Sequence, residues 1–409
     1  MSDGANPPPS WRRWFIAGML FLAAVLNYVD RTVLSILAPT IQSDLGIDDT
    51  GYARINSAFL IAYTLGYLLS GRLLDRVGGV TSLAGFVGFW SLANALTGFA
   101  RSPVQLGAAR FMLGLGEAGG WTASPKIVGR WFSAGERAFV VGLYTAGGTV
   151  GATIAPMLSL WLAAAYGWQS AFIATGTAGI AWLVPWLLFA PRDGREPAEA
   201  NERATVSWRD VLSQRIVWLL LTARLLTDGV WYFIQQWFPK YLHAERGVAQ
   251  EDLSVMWLVY LAADVGLIGG GLVSGWLVAR GTRPAAARLA MMVVAAAIVP
   301  VAALIPSVES GKAALAVGMA VAFGHAIWLT NLTALAIDAI PPRMLATSFG
   351  VIAAGSGLGG VAMNILVADA VQRHSYAPCF LAAAVLHPVA IFLLLAGLNR
   401  SRRSPPVSG

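Results

Sequence analysis

Gly71-Arg72-Leu73-Leu74-Asp75-Arg76 closes one long apolar block, and Gly275-Trp276-Leu277-Val278-Ala279-Arg280 closes another 204 residues further on. Arg137 and Gly142, at the start of a third block, return as Arg343 and Gly350 at offsets of 206 and 208. A glycine and a basic cluster recurring at half the chain length, at two separate loops, mark an internal duplication. Outward from these loops the apolar blocks number twelve: 14–38, 52–74, 80–100, 103–125, 138–165, 169–190, 213–238, 252–279, 287–306, 312–338, 344–370 and 377–398. Each can cross a hydrocarbon layer of roughly 30 Å as a helix, and helix is required because lipid offers no partner to an open strand edge. The expected fold class is an all-α integral membrane protein, with twelve transmembrane helices in two six-helix bundles. Residues 1–190 form the first bundle and 213–409 the second. Residues 191–212 form a cytoplasmic linker with nine charges between Arg192 and Asp210. Because six is even, the two halves share one orientation.

Composition agrees. Of 409 residues 57% are hydrophobic and only 12% charged, about half the roughly 25% of a soluble domain. Mean hydropathy is +0.64. A disordered chain, a collagen-like chain and an ordinary soluble enzyme are excluded. The net charge of +7 comes from arginines far more than lysines. It sits in short loops between apolar blocks, which suits a membrane surface and not a nucleic acid. Nineteen of the 28 basic residues fall on the side that holds both termini and six on the other, so both termini are expected in the cytoplasm. Cys379 is the one cysteine and permits no internal disulfide or thiolate cluster. The first apolar block is too long for a signal-peptide core and is read as a span that stays. The sixteen tryptophans read mostly as interfacial belt residues.

Charges inside apolar spans cost at least roughly 2.5–3.5 kcal/mol each, so they persist only when paired or when they line a wet cavity. Span 1 carries Asn27-Tyr28-Val29-Asp30-Arg31, and span 4 carries Arg110 and Glu117, seven residues apart and so on one helix face. Two acids and two arginines at similar depth point to a site where a guanidinium holds an anion and a carboxylate carries a proton. An acid beside an arginine stays ionised; a substrate anion that captures the arginine leaves the acid to take up a proton. A static ion pair locking two helices is the plainer alternative. Arg224 and Asp228, four apart in span 7, suit a structural pair equally well. Asp264, followed by a glycine-rich run, suits either a gate or a close helix contact. Asp338 and Asp369, near span ends, are read as solvated.

Other signals carry less. Gly355-Ser356-Gly357-Leu358-Gly359-Gly360 fits G-x-G-x-x-G, but no strand precedes it and it reads as a helix-packing feature. No phosphate-binding loop is present, so ATP-driven pumping has no support. His243, His325, His374 and His387 lack metal spacing. Asn331-Leu332-Thr333 matches a glycosylation sequon inside a span. No Ser/His/Asp or Cys/His hydrolase signature occurs, and neither metal nor cofactor is expected.

The chain resembles the major facilitator superfamily over essentially all twelve spans. Within it, Asn27 to Arg31 and Arg110-Phe111-Met112-Leu113-Gly114-Leu115-Gly116-Glu117-Ala118-Gly119 resemble the anion:cation symporter family. The second half is similar to bacterial hexuronate (glucuronate and galacturonate) transporters through Leu226 to Tyr232, Ala263 to Gly266, and the Trp328/Asn331 pair. The resemblance implies proton-coupled inward symport of a sugar acid by alternating access, in a monomer of the bacterial cytoplasmic membrane. Asp30 and Glu117 would be the protonatable pair, with Arg110 holding both between cycles. Arg31 would clamp the substrate carboxylate, and Tyr28, Tyr63 and Asn331 would contact the sugar. From its place beside Trp328 and Asn331 in span 10, His325 is read either as a further substrate contact, together with Trp328, or as a satisfied interior histidine. Gly71, Asp75, Arg76, Arg137, Arg280 and Arg343 would serve conformational gating. The chain departs from the family at Gly120 to Ala123, Thr145 to Thr149, His325-Ala326 and Gln235-Gln236, which rearranges the sugar-hydroxyl contacts and leaves the identity of the acid open. An exporter of an amphipathic metabolite or drug and a non-transporting membrane sensor are the competing readings.

Overall fold

The computed structural model describes residues 10–190, 206–249, 255–372 and 375–403. Seven of the nine linker charges, Arg373, His374 and the first nine residues lie outside the described residues. The regular elements are helices: α1 (Ser10–Ile36), α2 (Ala38–Leu45), α3 (Asp49–Val77), α4 (Gly79–Thr97), α5 (Pro103–Trp131), α6 (Ala134–Tyr166) and α7 (Trp168–Phe189), then α8 (Trp208–Ser213), α9 (Arg215–Gln236), α10 (Phe238–Arg246), α11 (Trp257–Ala279), α12 (Pro284–Ile298), α13 (Gly311–Ala339), α14 (Leu345–Gln372) and α15 (Ala377–Arg403). Among the described residues, eleven segments are long and apolar enough to cross a membrane. The twelfth expected span lies in α5, which has the length but carries Arg110, Glu117, Lys126 and Arg130.

Prolines move some boundaries. The first span stops at Ile36 and α2 begins afresh around Pro39. The seventh ends at Gln236, and α10 opens with Pro239 in its first turn. The ninth changes at Val299-Pro300 into a 3-10 segment, Val299–Ser307. Proline has no N–H to give to the preceding turn, which suits these three to a helix start; Pro125, Pro156, Pro185 and Pro388 sit inside long helices.

The chain divides into two compact units. The first comprises Met1–Phe132, Leu143–Val206 and Pro342–Thr347. In it α3 packs along α5, and α4 packs on α5 and α7. The closeness of α3 to α5 depends on Gly114: a methyl there would lie 2.5 Å from the Phe59 carbonyl oxygen. Tryptophans help to fasten this unit. Trp182 Nε1 donates to the Met19 carbonyl at 3.0 Å and Trp186 Nε1 to the Val80 carbonyl at 3.1 Å. The belt assignment suits the exposed Trp11, Trp14, Trp161, Trp218, Trp257 and Trp276 near helix ends. It does not suit Trp90, Trp168, Trp182, Trp186 and Trp328, which are buried. An indole ring satisfies a carbonyl as well as it satisfies an interface.

The second unit comprises Ser133–Gly142, Ser207–Pro341 and Ser348–Gly409. Here α11 and α12 pack on α13, and α15 packs on α9 and the 3-10 segment. Gly355 meets the Leu221 carbonyl, Gly359 the Leu225 carbonyl and Gly360 the Tyr232 ring, all on α9. The G-x-G-x-x-G string is thus a face that lets α14 approach α9, with no strand before it. Cys379, at the start of α15, is fully buried.

Candidate functional site

In the first unit Arg31 and Glu117 meet. Arg31 donates from Nε at 3.1 Å and from Nη2 at 3.0 Å, both to Oε2 of Glu117. Glu117 Oε1 is buried with no partner. The side chain of Arg31 is 26% exposed and that of Glu117 0%, so the guanidinium stands between the acid and open space. Arg31 Nη2 also donates to Asn27 Oδ1 at 3.3 Å, one helical turn earlier, and Trp121 Nε1 donates to that same oxygen at 3.2 Å. Aromatic rings wall the guanidinium: its carbon lies 4.6 Å from the Tyr63 centroid, 5.1 Å from Tyr28 and 5.7 Å from Phe59. Such faces hold a cation without competing for its N–H groups. The Tyr63 hydroxyl is 3.1 Å from that of Tyr67.

Local sequence explains the assembly. Asn27 and Arg31 are i,i+4 on α1; Arg110, Glu117 and Trp121 share one face of α5. Gly114, between Arg110 and Glu117, admits α3 and with it Phe59 and Tyr63.

Asp30 does not join the Arg31–Glu117 pair. Its side chain points to α4 and α7 and is fully buried. Oδ1 accepts from Asn94 Nδ2 at 2.7 Å, and Asn94 Nδ2 also lies 2.7 Å from Thr175 Oγ1. Oδ2 is buried with no partner. Arg110, expected to hold both carboxylates, turns to the main chain instead. Its Nη1 donates to the Asp30 carbonyl and its Nη2 to the Arg31 carbonyl, each at 3.2 Å. It therefore fixes the backbone of the two residues whose side chains diverge.

In the second unit His325, Trp328 and Asn331 lie on one stretch of α13 and are buried. Asn331 Nδ2 donates to the Gly270 carbonyl of α11 at 3.3 Å and to the Ile327 carbonyl at 2.9 Å. His325 Nδ1 is 3.2 Å from Nε2 of His387 on α15. On α9, Arg224 Nε and Nη2 hold Oδ2 of Asp228 at 2.8 and 2.7 Å, the intrahelical pair. Asp264 is half-buried on α11, and the glycines after it are a helix contact, Gly266 lying on the Phe323 carbonyl and Gly270 on Ile327.

Of the residues expected to gate, Asp75 has the richest contacts. Oδ1 takes Lys126 Nζ at 2.8 Å, and Oδ2 takes the Thr347 N–H at 2.9 Å and its hydroxyl at 2.6 Å. The carboxylate thereby caps the first turn of α14, where N–H groups lack helical partners. Gly71 lies beside the same turn: a methyl would be 2.6 Å from the Ala346 carbonyl. In the second unit Gly275 meets the Gly135 carbonyl at the start of α6. There Asp338 is not solvated. Its side chain is 5% exposed and holds Arg137 Nη1 at 2.7 Å and Arg288 Nε at 3.2 Å. Arg288 also donates to Ser274 Oγ at 2.8 Å and to the Ala134 carbonyl. The basic partner comes from α12, fifty residues away, so position near a helix end gave a false cue. Arg76, Arg280 and Arg343 are exposed, Arg280 lying 4.1 Å over its own Trp276 ring.

Asn94, Trp121, Thr175, Lys126, Arg288 and His387 take part in these contacts without being among the expected site residues. Of these, Arg288 carries a signal in the sequence, a base inside the apolar block 287–306.

The Major Facilitator Superfamily pattern matches residues 20–364. The D-galactonate transporter of Escherichia coli O6:H1 strain CFT073 is 28% identical over 418 residues, covering 95% of this chain and 96% of the relative. The galacturonate transporter of Dickeya chrysanthemi is 31% identical over 278 residues, covering 63% of this chain and 80% of the relative. Among solved structures, the fucose:proton symporter FucP of E. coli superposes with a TM-score of 0.73 at 15% identity, over 94% of this chain and 99% of that one; this likeness concerns the fold.

Proposed function

The chain belongs to the Major Facilitator Superfamily and is a multi-pass membrane transporter, and we propose that it carries a sugar acid of the hexuronate or aldonate kind inward together with protons. The Arg31–Glu117 pair carries this reading. A planar guanidinium binds a carboxylate through two parallel bonds, and the partly exposed Arg31 already offers both donors to a carboxylate of the protein. A substrate carboxylate that draws Arg31 away leaves Glu117 buried without its cation. Breaking a buried pair in that way costs about 3–5 kcal/mol, and a proton on the unoccupied Oε1 removes the charge. Substrate binding and proton uptake are coupled through one guanidinium.

Asp30 is the second proton site on this reading, with its free Oδ2 as the receiving atom. Arg110, by holding the main chain of both residues, transmits a change at Arg31 to Asp30. Tyr28 and Tyr63 orient Arg31, and His325, Trp328 and Asn331 of α13 are further sugar contacts on this reading. Gly71, Asp75 and Arg137 act at the helix starts that rearrange during alternating access. The relatives' names support the substrate class, and their bacterial sources support a place in the cytoplasmic membrane; the excess of basic residues on one side of the spans supports both termini inside.

The test is uptake of labelled galactonate, galacturonate and glucuronate into proteoliposomes, with and without an inward proton gradient. Accumulation driven by the gradient supports symport. Equal uptake without it, or binding without uptake, overturns the proposal.

A further inference from the structure

Two histidines from separate helices share one hydrogen bond inside the second unit, and their surroundings decide which of them owns the proton. His325 on α13 is 2% exposed and His387 on α15 0%. Nδ1 of His325 and Nε2 of His387 are 3.2 Å apart, with the rings edge-on at 86° and 5.4 Å between centroids. Trp231 of α9 lies parallel to the His325 ring within 5°, at 5.8 Å. Trp328 meets the His387 ring edge-on at 5.3 Å. The nearest acid on α9, Asp228, is already held by Arg224. A charge on either ring would be buried without a free counter-ion, so both are neutral.

A neutral imidazole carries one N–H, and which nitrogen bears it is set by the bond the other makes. Two arrangements fit the shared bond. If His325 donated from Nδ1, the proton of His387 would sit on its own Nδ1. That atom is buried with no partner, and buried N–H groups without an acceptor are rare. If His387 donates from Nε2, its Nδ1 keeps only a lone pair, the less costly orphan. The proton of His325 then sits on Nε2, which is not one of the buried orphan atoms.

We propose that His387 is a positioning residue: its Nε2–H donates to Nδ1 of His325 and fixes His325 as a hydrogen-bond donor, through Nε2, to an oxygen of the sugar acid. The parallel Trp231 ring fixes the ring plane, and His387 fixes the proton. Without His387 the imidazole of His325 would be free to present either a donor or an acceptor. With it, a substrate oxygen with lone pairs is favoured at that point and a bare donor is refused. This inference rests on the reading that His325 touches the substrate.

The experiment has two arms. Nitrogen-15 NMR of the histidine rings, on the full chain in lipid nanodiscs, assigns the protonated nitrogens directly. The expected spectrum has Nε2 protonated and Nδ1 bare on His325, and a His387→Leu variant loses that bias. A wild-type spectrum with the proton of His325 on Nδ1 overturns the proposal without need of any variant. The second arm is galactonate uptake kinetics. His387→Leu should raise KM about fivefold to tenfold with the maximal rate kept, the loss of one hydrogen bond. His387→Gln, whose amide can donate in place of Nε2–H, should restore KM to within about twofold. Equal KM in His387→Leu and wild type overturns the positioning role. If the tautomer is as assigned but His325→Leu leaves KM unchanged, the substrate contact fails and the role of His387 with it, while symport through Arg31 and Glu117 stands.

Discussion

Arg31 spends two N–H groups on a single oxygen of Glu117, Oε2, and leaves Oε1 of the same carboxylate buried and unbonded. A forked pair would have used both oxygens. The one-sided contact keeps a proton-accepting atom open without breaking the ion pair. Replacing Arg31 with Lys substitutes a point charge for a planar fork. A hydrogen bond to a charged group contributes about 1.5–3 kcal/mol, so Arg31→Lys should raise KM for galactonate roughly tenfold to a hundredfold. Initial-rate uptake kinetics measure it, and a KM equal to wild type would remove Arg31 from the site.

Glu117→Gln keeps the shape and an acceptor oxygen but cannot change charge. Uptake should no longer rise when the outside is acidified, because no proton is needed to neutralise the residue. Counterflow exchange of labelled for unlabelled substrate should persist. Loss of both activities together would assign Glu117 to substrate binding instead.

Asp30→Asn should abolish proton-driven accumulation while leaving the protein folded. The new side chain can still present an oxygen to Asn94, whose amide lies 2.7 Å from Oδ1. A thermal melt in detergent within a few degrees of wild type, together with uptake that ignores the pH gradient, is the expected pair of results. Full gradient-driven uptake would leave Asp30 as a structural residue.

Asp338 holds two arginines, Arg137 and Arg288. Asp338→Asn removes the charge and leaves the fully buried Arg288 guanidinium without the carboxylate it holds, a loss of about 3–5 kcal/mol by analogy with broken buried pairs. The melting temperature should fall, and the further substitution Arg288→Met should recover part of it. A variant as stable as wild type would mean that other groups compensate.

The glycines of the G-x-G-x-x-G string are unequal. Gly359 faces the Leu225 carbonyl and Gly357 faces open space. Gly359→Ala should lower stability by about 1–3 kcal/mol, the usual penalty for overpacking, and Gly357→Ala should be neutral. A thermal-shift assay separates them; equal effects would contradict helix packing as the reason for the string.

Much of this was legible from the chain. Arg110 and Glu117 stood out because a charge in an apolar helix must have a reason, and Asn27 to Arg31 stood out for the same cause. What stayed hidden depends on contacts between distant segments. Asn94 and Thr175 are uncharged residues of a common kind, and only the approach of α4 and α7 to α1 reveals that they receive Asp30. His387 gains meaning from His325, sixty-two residues earlier. Asp338 looked solvated because sequence distance to a helix end does not register Arg288. Tryptophan type alone could not separate an indole at the lipid boundary from one, like Trp186, that closes a helix contact.

The burial of Cys379, the sole thiol of the chain, has a practical corollary. A maleimide reagent added to the native protein should find nothing to react with, so the natural sequence already serves as an unlabelled background. Pairs of cysteines introduced at exposed positions such as Arg76 and Arg343 would then accept two spin labels or a donor and acceptor dye. The excursions of a transport cycle would become readable as distances.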